Sequence, residues 1–335
     1  MLTPRARVQQ AMRHQQPDRV PWQFEFTVPA RRKLQAYYGV EDLAPILDNH
    51  LAAYEALPPD AWQEIRPNYW RDEFGVVWNR TIDKDIGIVD SYQLQERSLA
   101  GYRFPDPNDP RRYAGLPAFI ATHADRFRIV NIGFSLFERA WTLRSMPELM
   151  IDMLEAPAWV DELLAAITAY NLGIIEKVVQ YDIDAVMFGD DWGGQQGLLT
   201  GAKLWRRFLK PHLKQMYQAV KRAGKLVFIH SCGKVQELFP GLIELGLDCF
   251  NPFQPEVMNP YEIKRQFGQH LAFYGGMSIQ RILPYGTPQE VRDEARRLMD
   301  EIGRDGGYII APSHAMPGDI PVENMVALIE TVHAG

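Results

Sequence analysis

The sequence predicts an α/β fold, a (β/α)8 TIM barrel, and three observations carry that expectation. Short apolar runs recur along most of the chain, each followed by a stretch of helical periodicity. About eight such strand candidates occur, the number a closed barrel of this kind needs. No Gly-x-Gly-x-x-Gly turn accompanies them, which sets aside a dinucleotide-binding doubly wound sheet. No repeat array, low-complexity tract or linker interrupts the pattern, so residues 1–335 read as one domain.

Thr3-Pro4 opens a first helix through Met12, threonine as cap and proline in the first turn. Val20 to Phe26 alternates apolar and polar and reads as the first strand. Residues 60–124 fit the barrel less well and are expected to be an insertion packed near one end. Within it, Phe74 to Trp78 and Ile86 to Val89 suit a hairpin, and Phe104-Pro105-Asp106-Pro107 a loop. Phe127 to Ile132 is a strand, with helical periodicity from Leu136 onwards. One long amphipathic helix carries Trp159, Leu163, Ile167, Tyr170, Ile174 and Val178. Ala185 to Phe188 is the next strand, ending in Gly189-Asp190-Asp191. The helix after it is expected to kink near Pro211 and close at Gly224.

Leu226 to Ile229 leads into His230-Ser231-Cys232-Gly233, the stretch on which the functional reading turns. Leu247 to Asn251 and Leu271 to Tyr274 are strands, the second closed by Gly275-Gly276. Thr287-Pro288-Gln289-Glu290 is a capping box, Tyr308 to Ala311 the last strand, and Asp319 the expected cap of a final helix with Pro321 in its first turn.

Composition narrows the function. The chain is 46% hydrophobic and 23% charged with a net charge of −6, and it holds no basic block, which disfavours a nucleic-acid surface. The start shows no export signal, and no apolar run of about 18 residues stands out as a membrane span. Cys232 and Cys249 are the only cysteines, so reduced thiols in a cytoplasmic protein are expected.

In a TIM barrel, chemistry sits where strands end. Those positions read Asp190-Asp191, His230-Ser231-Cys232, Asn251 with Gln254, Gly275-Gly276, and Ser313-His314. On a strand, His230 and Cys232 would face the same way with Cβ atoms about 6–7 Å apart, within reach of one zinc ion. Two ligands do not complete a site. The plain alternative is a buried cysteine beside a hydrogen-bonded histidine. His314 follows the last strand and is a candidate third ligand; Cys249, one layer below Asn251, is a rival better explained by packing. Asp190 and Asp191 could equally cap the following helix.

The motifs His230-Ser231-Cys232-Gly233, Leu242-Ile243-Glu244-x-Gly246-x-Asp248, Asn251-Pro252, Gln254-Pro255-Glu256, Ala311-Pro312-Ser313-His314 and Pro321-Val322-Glu323-Asn324 resemble the uroporphyrinogen decarboxylase superfamily. The likeness is dense from about residue 185 onwards and looser at Pro17-Asp18-Arg19-Val20-Pro21 and Phe74-Gly75. It implies a (β/α)8 barrel and one of two chemistries: metal-free decarboxylation of a porphyrinogen, or zinc-dependent methyl transfer linked to a corrinoid. The methyltransferase branch binds zinc through a His-x-Cys pair and a cysteine after the last strand. His230 and Cys232 match the pair, and His314 occupies the last position. Decarboxylases lack the pair and follow their first strand with an arginine-rich loop, where this chain has Phe24-Glu25-Phe26-Thr27.

The resemblance therefore implies a zinc- and cobalamin-dependent methyltransferase acting on a small methylated substrate, such as an aryl methyl ether, or on a thiol. A uroporphyrinogen decarboxylase or related metal-free lyase is the alternative. No corrinoid-binding Asp-x-His-x-x-Gly signature is present, so cobalamin is expected on a partner corrinoid protein. His230, Cys232 and His314 are the expected zinc ligands, with Asp191 or Glu138 as a fourth ligand or proton carrier. Trp22, Phe24, Trp192, Asn251, Gln254 and Tyr274 are the expected substrate contacts.

Overall fold

A computed structural model describes residues 1–335. In chain order the strands are β1 (Leu51–Glu55), β2 (Trp62–Arg66), β3 (Tyr69–Asp72), β4 (Val77–Asn79), β5 (Ile88–Ser91), β6 (Phe127–Ile132), β7 (Ala185–Gly189), β8 (Leu226–His230), β9 (Cys249–Phe253), β10 (Ala272–Met277) and β11 (Tyr308–Pro312). β1 and β6 to β11 form one seven-stranded sheet in that order, every pair parallel. Helices fill the crossovers, as parallel strands require. The result is a TIM-barrel-like α/β fold.

The segment around Trp22 lies between the two edges of this sheet. Gln23 N and Ile310 N bond to Ile310 O and Pro21 O at 3.1 and 2.9 Å, while His50 N donates to Trp22 O at 3.2 Å. Side chains replace the rest of the ladder: Asn49 Oδ1 accepts from Phe24 N, and Asn49 Nδ2 donates to Phe24 O. The expected first strand is therefore present as an eighth position, with isolated bridges from Trp22 to Ile310 of β11 and from Phe26 to Met316 beyond it, and not as a regular strand. Pro21 has no N–H to give to a ladder.

Alternation along the strands divides the core in two. Leu51, Phe127, Ile129, Ala185, Phe228, Cys249, Ala272, Tyr274, Ile309 and Ala311 form an inner cluster. Their neighbours, such as Val130, Val186, Val227, Ile229 and Ile310, join the outer cluster shared with the helices. Burial on both faces explains why these strands read as continuous apolar runs. Val8, Ala11 and Met12 of helix Pro4–Met12 join the inner cluster and seal one end of it. Thr3 caps that helix, its Oγ1 accepting from Ala6 N at 3.2 Å.

β2 to β5 make a separate antiparallel sheet between β1 and β6 in sequence. The expected hairpin corresponds to β4 and β5; β2 and β3 extend it. Trp78 of this sheet packs on Phe134, just after β6, with ring centroids 5.1 Å apart.

Other expectations need correcting. Gly275-Gly276 does not close its strand, because β10 continues to Met277. A Cβ on Gly275 would lie 2.6 Å from Phe253 N, so the glycine permits close approach of β9. The final helix is Val322–Ala334 with Pro321 as N-cap, leaving Asp319 outside the cap. The helix bearing Pro211 has its irregularity one step earlier, as a wide turn over Trp205–Leu209. Finally, helix Pro157–Val178 is long and apolar enough for a membrane span. Over half of its most apolar window (56%) is buried inside the fold, which marks a core helix.

Candidate metal centre

With one end of the inner core sealed, the C-terminal strand ends surround a cavity of about 240 Å³. His230, Asn251, Tyr274 and His314 line it, together with Gln23, Glu25, Glu55 and Asn131.

β8 ends at His230, so Cys232 lies in the following turn and not on the strand. Two hydrogen bonds tie that turn to the loop after β7. Asp191 Oδ1 accepts from Cys232 N at 2.7 Å, and Ser231 Oγ accepts from Trp192 N at 3.0 Å. The thiol is thereby brought back to within 3.4 Å of His230 Nε2. His314, exposed after β11, sends its ring over the same point; the two imidazole centroids are 5.6 Å apart. One donor atom from each of His230, Cys232 and His314 lies within 4.8 Å of the others. Cys249 is fully buried in the inner core and takes no part in this cluster.

Asn251 fixes the ionisable face of His230. Asn251 Nδ2 donates to Tyr274 O at 3.0 Å, which turns Oδ1 towards His230 Nδ1 at 2.6 Å. That carboxamide oxygen can only accept, so Nδ1 carries the proton and Nε2 presents its lone pair to the Cys232 side. An outer partner of this kind orients a metal-binding imidazole. Asn251→Leu should lower zinc affinity by ~10–100-fold while leaving three donors in place; competition against a chromophoric chelator measures this, and unchanged affinity would remove Asn251 from that role.

The carboxylates divide into two kinds. Asp190 is fully buried and structural: its oxygens accept from Glu138 N at 2.8 Å, Leu136 N at 3.3 Å and Trp192 Nε1 at 2.5 Å. Burial nevertheless pushes its carboxyl up to about 6, against an ordinary value of 3.8. A raised folded value means that its stabilising contribution is complete below about pH 4 and lost as the pH rises through about 6. The stability of the wild type relative to Asp190→Asn should therefore fall by ~1–3 kcal/mol between about pH 4 and pH 7 in urea unfolding. A constant difference would show a carboxylate held ionised by its donors.

Asp191 and Glu138 face the donor cluster. Asp191 Oδ1 is 4.0 Å from His230 Nε2. Glu138 is half-buried, and burial, then the charges of Asp191 and Asp190, push its carboxyl upwards. Burial, followed by the charges of Asp191 and Glu138, also holds the Cys232 thiol well above its usual range. An anionic neighbourhood that opposes a bare thiolate is one that a divalent cation satisfies. Two imidazoles and a thiol, with carboxylates beside them, are a donor set that suits zinc.

Of the expected substrate contacts, Asn251 and Tyr274 line the cavity. Gln254 is buried and accepts from Gly233 N at 3.2 Å, bracing the Cys232 turn. Trp22, Phe24 and Trp192 are corrected: all three are buried outside the cavity lining. Trp22 packs on His50 and donates to Leu47 O at 3.0 Å; Phe24 packs on His333; Trp192 bonds to Asp190. Alternation explains the first two, because apolar Trp22 and Phe24 turn to the outer core while Gln23 and Glu25 line the cavity. Those two polar residues, with Glu55 and Asn131, were missed; their parity opposite the large aromatics was the available signal. Tyr274 Oη donates to Glu25 Oε1 at 3.4 Å, and Asn131 Nδ2 to Glu55 Oε1 at 2.7 Å.

The family model for uroporphyrinogen decarboxylase (URO-D) matches residues 134–335, more than half of the chain and the part that supplies every proposed ligand. The chain belongs to the uroporphyrinogen decarboxylase family. Within that family it is 25% identical over 248 residues to the uroporphyrinogen decarboxylase of Methylococcus capsulatus, covering 68% of this chain and 66% of the relative. It is 26% identical over 197 residues to that of Neisseria meningitidis, covering 56% and 49%. The chain thus spans between half and two thirds of the length of the curated relatives it matches. A methyltransferase from Methanosarcina mazei has the same fold, with a TM-score of 0.75 at 15% identity, covering 100% of this chain and 99% of the other.

Proposed function

We propose that this family member is a zinc-dependent methyltransferase that exchanges a methyl group with a corrinoid carried on a partner protein. The observation that carries the reading is the convergence of His230, Cys232 and His314, donor atoms within 4.8 Å of one another, beside the cavity that His230 and His314 line. When bound there, zinc supplies Lewis acidity to a methylated oxygen or keeps a thiol acceptor ionised. His230 offers Nε2, its proton held on Nδ1 by Asn251. Cys232 supplies the thiolate, and His314 closes the set from the rim. Asp191 is a fourth ligand or a proton carrier, with Glu138 behind it. A site with one sulfur and two nitrogens has less ligand charge than one with two sulfurs, which favours activating an ether oxygen and hence demethylation of a small methyl ether.

The cavity also opposes the decarboxylase alternative. No lysine or arginine lines it, whereas Glu25 and Glu55 do. A polyanionic tetrapyrrole would meet carboxylates in place of counter-charges.

The test is to incubate zinc-loaded protein with cob(I)alamin and a panel of methyl ethers, and with methylcobalamin and thiols, following the cobalt spectrum. Zinc-dependent change in one set is expected. Silence in both, with coproporphyrinogen formed from uroporphyrinogen, would establish the decarboxylase instead.

A further inference from the structure

Beside the metal-side cavity lies a larger compartment of about 500 Å³, walled by the antiparallel sheet, the end of β6 and helix Pro157–Val178. The two voids share Glu55, Asn131 and Gly133, so they meet at one neck. We propose that this second compartment binds a neutral, aromatic or apolar body, the end of the substrate remote from its methyl group. The inference rests on the methyl-transfer reading for the identity of the near end, but its binding chemistry stands on the compartment alone.

Much of the lining is apolar. Trp62, Phe74, Ile86, Phe134 and Ile174 supply much of it. Its deeper charged groups pair with one another, and among them only Arg139 Nε is buried without a hydrogen-bond partner. Asp72 accepts from Arg139 at 2.9 Å, Trp78 Nε1 at 3.2 Å and Val76 N at 2.9 Å. Glu73 takes Arg112 at 3.2 Å and the Tyr170 hydroxyl at 2.8 Å. The Arg139 guanidinium lies over the Phe74 ring, 3.8 Å from its centroid. Asp85 stands exposed on the β4–β5 connection. Beyond the neck, where Glu55 is held only by Asn131, a ligand entering this space meets aromatic and aliphatic faces and charges that already pair with one another, so a charged body would lose hydration with little return. A flat ring gains from the same faces. Reach completes the case: a methyl group held beside His230 leaves the neck as the route to the larger space.

The experiment uses the zinc-loaded full chain and three probes: anisole, 4-methoxybiphenyl and biphenyl. Binding is followed by probe fluorescence or ligand-observed NMR. 4-Methoxybiphenyl should bind ~10-fold or more tightly than anisole, since the second ring is buried in the added compartment. Leu57→Trp and Ile86→Trp, at exposed edges of the lining where a larger side chain is tolerated, should each narrow the space. Both should weaken 4-methoxybiphenyl and biphenyl by ~5-fold or more and anisole by less than about 2-fold. Equal affinity for anisole and 4-methoxybiphenyl, or equal losses for all three probes in both variants, would overturn the proposal. Biphenyl separates this result from the catalytic one. Selective loss of biphenyl binding in a protein inert towards cob(I)alamin would keep the compartment and remove methyl transfer; methyl transfer from anisole without biphenyl binding would do the reverse.

Discussion

Cys232→Ala should give a folded protein that has lost its zinc and, with it, methyl transfer. Cys232 lies in the turn after β8, half-buried, and its backbone N–H remains available to Asp191 when the thiol is removed. The hydrogen bonds that hold the turn belong to Ser231, Gly233 and Gln254, none of which the substitution touches. Two exposed or half-exposed imidazoles remain, a weaker set than two imidazoles and a thiolate. Loss of an outer partner already costs ~10–100-fold in metal affinity, and loss of a direct ligand should cost more. Elemental analysis after dialysis against a chelator reads the metal, and thermal unfolding shows that the chain is intact. Stoichiometric zinc in Cys232→Ala would exclude this residue as a ligand.

Gly233→Ala should be the most damaging single-methyl change near the site. Gly233 has φ +85°, and a Cβ there would lie 2.3 Å from the carbonyl carbon and oxygen of Gly193. Both atoms belong to backbone in the loop after β7, so neither can rotate away. The left-handed conformation and the clash together should cost ~3–5 kcal/mol in urea unfolding. Gly224→Ala supplies the comparison: its φ is +71°, but nothing lies within 4 Å of the added carbon. It should lose only the conformational part, ~1–2 kcal/mol. Similar losses in the two variants would mean that the β7 and β8 loops do not press on each other at Gly193.

What could be read in advance follows from which signals a side chain obeys. β6, β7, β8 and β11 are buried on both faces, so Phe127 to Ile132 or Leu226 to Ile229 stand out as apolar runs. β1 does not, because Leu51-Ala52-Ala53-Tyr54-Glu55 has no β-branched residue and its last side chain faces a polar cavity. β2 is largely exposed and β3 mostly half-buried, both carry charged residues, and neither shows a clean apolar alternation. In the site, His230 and Cys232 were legible from spacing, although a turn and not strand alternation brings them together. His314 was legible from its position after the last strand. Gln23 and Glu25 were hidden by the aromatics beside them: Trp22 and Phe24 looked like a ligand-binding pair but serve the outer core. Glu55 and Asn131 lie at strand ends whose first member was not recognised, so their meeting needed the assembled barrel.

Zinc K-edge X-ray absorption on the full chain reads the ligands of the metal centre itself. One zinc per chain is expected, with a single sulfur at ~2.3 Å and nitrogen or oxygen neighbours at ~2.0–2.1 Å, the sulfur from Cys232 and two of the nitrogens from His230 and His314. Two sulfurs would bring Cys249 out of the inner core and contradict the assignment of His314. A protein that takes up no zinc would contradict the metal centre itself.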